Sequence, residues 1–239
     1  MTYARAFFDL QRRFAGRVAE LSGMPLSRAL LEYTNLYIRF GLGRDFDPAH
    51  PGWREYLAGL GRGDDGDWTH RFYLAGARDV APPALVASSG CFSYGRIAGD
   101  RVRLHFHDAE RDGRSPLGRE RVECRLAELA VLFEQMKRAE PRPPRVVGAS
   151  WLYNLDAYRR LFPPSYLATA RVILGRFRHM PLWGQFLDRR GQVKEAIARP
   201  FLDRLERHAS ADGLDECFPF QVLSPEAPAE EFYEFYGVT

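Results

Sequence analysis

Apolar residues recur near the N-terminus at spacings of four and three: Tyr3, Phe7, Leu10, Phe14, Val18 and Leu21, then Leu26, Leu30, Tyr33, Tyr37 and Phe40. Each series places one apolar stripe on a helix, which predicts two amphipathic helices that each bury a face. Thr2 is placed to cap the first and Gly23 to end it. Pro25 suits the first turn of the second, which runs up to Gly41 and Gly43.

From Asp45 to Pro83 the pattern weakens to a short helix around Trp53 to Leu60 and a polar loop, Gly61 to Gly66. That glycine-rich loop follows a helix, so it lacks the strand context of a dinucleotide fingerprint. The clearest β signal comes next. Cys91 to Ala98 and Arg101 to Asp108 flank Gly99-Asp100, which predicts a hairpin with a two-residue turn. With that turn, Phe92 opposes His107, Tyr94 opposes His105, Arg96 opposes Arg103 and Ala98 opposes Arg101. Ser93, Gly95 and Ile97 with Val102, Leu104 and Phe106 then form the core face, and the other face gathers Phe92, Tyr94, Arg96, Arg101, Arg103, His105 and His107.

Ser115-Pro116 has the form of a helix start, and Val122, Leu126, Leu129, Phe133 and Met136 carry that helix to Pro141, Pro143 and Pro144. Arg145 to Leu152 reads as a strand and Asp156 to Phe162 as a short helix before Pro163-Pro164. Strand, long helix and strand in that order predict a parallel pair joined by a helical crossover. Beyond it lie helices from Ser165 to Phe177 and from Gln192 to His208, the latter kinked or split at Pro200, a strand from Cys217 to Leu223, and an aromatic helix from Ala229 to Tyr236. The fold class is therefore α/β (α+β): a mixed central sheet with a β-hairpin, flanked by helices, with helical additions at both ends. No linker interrupts the pattern, so one domain is expected over residues 1–239, with an N-terminal helical pair (2–43) and a C-terminal helical extension (165–239).

Composition narrows the function classes. The chain has 239 residues, 46% of them hydrophobic, and a formal net charge of +3, which is ordinary for a globular protein. Such a charge, spread along the chain, is not the basic stripe of a nucleic-acid binder. Cys91, Cys124 and Cys217 are an odd set without CxxC spacing, which points to a reduced protein with buried thiols. With neither a signal-like N-terminus nor an apolar run long enough to span a bilayer, a cytoplasmic protein outside the membrane is expected. Of the 34 basic residues only Lys137 and Lys194 are lysines. Codon bias accounts for most of that imbalance, and local clustering alone gives it chemical meaning.

Such a cluster surrounds the predicted helix start. Arg111, Arg114, Arg119 and Arg121 flank it, and Gly113 and Gly118 allow close backbone approach, which together describe a phosphate site at a helix N-terminus. The plainer reading pairs those arginines with Asp108, Glu110, Asp112, Glu120 and Glu123. His105 and His107 lie about 7 Å apart on one strand face. They fit a metal pair completed by Asp108 or Glu110, a general base or an anion contact; because the adjoining arginines oppose a cation, no metal is expected. The aromatic and basic hairpin face resembles a base-stacking platform in chemistry, but the same composition suits a sheet under a helix, so nucleic acid is not an expected partner.

The order of elements, two helices, a β-hairpin, an arginine- and glycine-bearing loop, a long helix, a strand ending near Asn154 and a helix containing Ala157 and Tyr158, resembles the GNAT acyltransferase superfamily. The resemblance covers roughly Leu85 to Phe162, and the loop Arg114-Ser-Pro-Leu-Gly118-Arg119-Glu120 keeps one glycine at a shifted spacing. It implies a sheet splayed at its centre, with acyl-coenzyme A as cosubstrate in the cleft and its pyrophosphate on the loop before the long helix. Arg111, Gly113, Arg114, Gly118, Arg119 and Asn154 would then contact the cosubstrate, Tyr158 would be the acid toward the thiolate, and Glu110 or His107 the base for a small-molecule acceptor. Two other classes remain: a non-enzymatic binding or regulatory protein that holds a phosphorylated ligand on the same arginines, and a metal-dependent enzyme built on His105 and His107.

Overall fold

In chain order the elements are α1 (Arg5–Ser22), α2 (Leu26–Tyr33), α3 (Leu36–Arg39), α4 (Pro51–Gly59), α5 (Asp65–Gly76), β1 (Ala87–Ser89), β2 (Phe92–Arg96), β3 (Arg101–Phe106), α6 (Val122–Ala139), β4 (Arg145–Val147), α7 (Asp156–Arg159), α8 (Pro164–Ala168), β5 (Arg171–Val172), α9 (Met180–Trp183), α10 (Glu195–Arg207), β6 (Leu223–Ser224), β7 (Glu226–Pro228) and α11 (Ala229–Tyr236). They come from a computed structural model that describes residues 2–76, 85–110, 114–175 and 177–239. The chain divides into two compact units, Met1–Ala81 with Leu174–Phe220 and Pro82–Ile173 with Gln221–Thr239.

The first unit is helical. The α1 stripe buries Phe7, Leu10, Phe14 and Val18 as its spacing predicts, and Gly23 ends the helix in the left-handed conformation at φ +70°. Phe14 sits among Phe177, Trp183, Phe201 and Phe218, with ring centroids 5.2 to 5.8 Å away. Thr2 does not cap α1. The cap position is Ala4, whose N–H donates to the Gly191 carbonyl. The predicted second helix is two, because Thr34 is extended and the Asn35 N–H donates to the buried Gln11 side chain instead of to its own turn. α5 begins inside the glycine-rich run, where Asp64 accepts the N–H groups of Gly66 and Asp67. α10 runs unbroken through Pro200.

The second unit is a mixed α/β fold. Five strands form one sheet in the order β1-β2-β3-β4-β7, every neighbouring pair antiparallel except β3 and β4. α6 makes the predicted crossover between that parallel pair and stacks Phe133 on Phe232 of α11, ring centroids 4.6 Å apart. The hairpin register differs from expectation by one residue: Phe92 faces Phe106, Tyr94 faces Leu104 and Arg96 faces Val102. Ile97 bonds to Arg101, so the loop is the three residues 98–100, with Gly99 at φ +78°. That shift puts Phe92, Tyr94, Val102, Leu104 and Phe106 together in the core, and Ser93, Gly95, Arg103 and His105 on the reverse face.

Other boundaries also moved. Residues 115–118 form a turn closed by the Gly118 N–H on the Ser115 carbonyl, a short 3-10 helix spans Arg119–Arg121, and α6 starts at Val122 instead of Ser115. β4 stops at Val147, and Ser150 caps the 3-10 turn Trp151–Asn154 by accepting the Leu152 N–H. The predicted helix from Ser165 is only α8, and of the predicted strand Cys217 closes a 3-10 turn, residues 218–222 are irregular and only Leu223 lies in a strand, β6. Among the described residues no helix is long and apolar enough to cross a membrane.

Candidate functional site

The second unit has a gap at the middle of its sheet. The ladder between β3 and β4 pairs only Arg101, Val102 and Arg103 with Arg145, Val146 and Val147. β3 continues to Phe106, whereas the chain after Val147 turns the other way, Gly148 donating to the Pro225 carbonyl and Ser150 pairing with Leu223. The two parallel strands thus separate at their C-terminal ends, the place where open α/β sheets receive ligands.

Aromatic rings cross this opening. Phe106 packs edge-on against Tyr158 at 5.6 Å, Tyr158 against Tyr153 at 5.1 Å, and the Tyr153 hydroxyl lies against Gly148 so closely that a Cβ there would overlap it. Tyr158 is 2% exposed. Burial, followed by the neighbouring Tyr153 phenol, pushes its pKa well above the ordinary tyrosine value, so it keeps its proton at neutral pH.

Between β3 and α6 the structure describes residues 107–110 and 114–121. Arg160 donates to the Leu117 carbonyl of the second stretch at 2.7 Å. Arg114 and Arg119 are exposed there, and Arg119 has no ion-pair partner among the described residues. Gly118 has φ −58°, a conformation open to any residue, so glycine is not needed there for its backbone. Arg111 and Gly113 lie outside the described residues. His107 is exposed just past β3, its backbone N–H on the Cys91 carbonyl. The Asn154 side chain donates to the carbonyls of Trp151 (2.7 Å) and Gln221 (2.9 Å), which commits its amide group to the fold.

Glu110 pairs with Arg121, as the plainer reading of the sequence had it, within an ionic cluster whose other members, Arg125 and Glu128, the sequence reading did not single out. Arg125 on α6, with a side chain 1% exposed, lies 2.6 Å from Glu110 and 2.7 Å from Glu128, and Arg121 reaches Glu110 at 3.3 Å. Burial opposes the Arg125 charge more than any other single influence, yet Glu110, Cys91 and Glu128 together hold its pKa above the ordinary arginine value. Glu128 also accepts the Cys91 N–H at 3.0 Å. Ligand atoms of Glu110, Cys124 and Glu128 lie within 4.8 Å of one another, a spacing that would suit a metal ion, but the Arg125 guanidinium already supplies the positive charge between the two carboxylates. The signal for this cluster was the i, i+3 spacing of Arg125 and Glu128.

His105 lies on the reverse face of the hairpin, away from Phe92 and Tyr94. The chain matches no protein-family model, no curated protein and no solved structure.

Proposed function

We propose that the protein is an acyltransferase that moves an acyl group from acyl-coenzyme A to an amine or similar acceptor. The observation that carries this reading is the parallel pair β3 and β4, which parts after three residues at the centre of a mixed sheet and is followed by an arginine-bearing loop and a long helix. A parting of this kind is what the resemblance implies for the thioester end of the cosubstrate. Arg114 and Arg119 supply the guanidinium groups for its pyrophosphate, as planar forks matched to phosphate oxygens.

His107 is the better base of the two considered, because Glu110 is bound to Arg125 and Arg121. Its imidazole takes the proton that the acceptor amine loses as the carbonyl carbon is attacked. Tyr158 holds a phenolic proton at the parting of the strands for the departing thiolate.

Calorimetric titration with acetyl-coenzyme A tests the proposal. Binding is expected for the wild-type chain, weakened at least about tenfold in Arg114→Ala/Arg119→Ala. No heat from the wild-type protein at high micromolar ligand rejects it. Binding without transfer to any of a panel of amines favours the regulatory reading on the same arginines.

A further inference from the structure

No further inference is drawn: the strongest candidate, the cavity of about 410 Å³ that Asp9, Arg12 and Gly16 of α1 form with Leu26 and Leu30 of α2, carries none, because the charged groups at its rim are paired already, Arg12 with Asp9 and Asp65 and Arg13 with Glu206, and nothing in the structure shows what would occupy it.

Discussion

Arg125 and Glu128 stand one turn apart on α6, and Nη1 of the first donates to both carboxylate oxygens of the second, at 2.8 and 2.7 Å. The pair is almost dry, with side-chain exposures of 1% and 15%. Removing one member strands the other, which is the costly way to break a buried ion pair. Glu128→Gln is expected to lower stability by about 3 kcal/mol, the low end of the range for such losses, because Glu110 still faces Arg125. Urea denaturation measures it. The double variant Arg125→Met/Glu128→Leu is expected to recover only part of the loss, since it removes both charges but takes from Glu110 its nearer arginine and from the Cys91 N–H its acceptor.

The hairpin shows where the sequence was readable and where it was not. Gly99 announced a turn, and a turn is there, but dipeptides such as Gly-Asp fit two-residue and three-residue loops alike, and the choice moves every side chain to the opposite face. The core decided it: Phe92 and Tyr94 reach complete burial only in the register that places them beside Val102 and Leu104. Gly99 at φ +78° therefore tests the loop. Gly99→Val is expected to cost roughly 1 to 2 kcal/mol from backbone strain alone, as no other atom lies within 4 Å of the added Cβ. Gly99→Asn, which tolerates that conformation, is expected to cost clearly less in the same denaturant series.

The crossover α6 and the aromatic α11 were legible because long apolar periodicity and flanking prolines act locally. The site was legible only in part. Arg114 and Arg119 are exposed on the segment before α6, but the Arg125 cluster joins the loop after β3 to two turns of α6, and nothing local indicates that Glu110 folds back onto Arg125. The parting of β3 and β4 depends on Gly148 and Ser150 finding partners at Pro225 and Leu223, far along the chain.

Glu226 on β7 reaches across β4 to β3, 2.6 Å from Arg145 and 2.8 Å from Arg101. The hydrogen bond from Arg145 holds its pKa below the ordinary glutamate value, against the effect of burial, and Arg101 adds to it. A depressed carboxylate pKa means the unfolded chain binds its proton first. The resulting stability is present above roughly pH 4 and is lost as the pH falls through the native value. Glu226→Gln is expected to flatten the acid limb of the stability profile and to cost about 1 kcal/mol or less at neutral pH, because the site is partly solvated. An acid limb unchanged by the substitution contradicts this assignment.

Tyr153 and Tyr166 share a hydrogen bond of 2.8 Å between hydroxyls that are both sealed in the core. Burial raises both pKa values well above the ordinary one, and that of Tyr158 beside them. For a group whose native pKa is raised, the stability is whole below the unfolded value near pH 10 and declines as the pH climbs beyond it. These phenols should therefore ionise together with unfolding and not before it, so an ultraviolet titration should show exposed tyrosines first and a second step coincident with loss of the circular dichroism signal. Tyr153→Phe leaves the Tyr166 hydroxyl short of its partner and is expected to cost about 1 to 2 kcal/mol, whereas the double variant Tyr153→Phe/Tyr166→Phe should cost less than the sum of the single changes. Strict additivity would mean that the two hydroxyls do not depend on each other, and ionisation of every tyrosine ahead of unfolding would place them in contact with water.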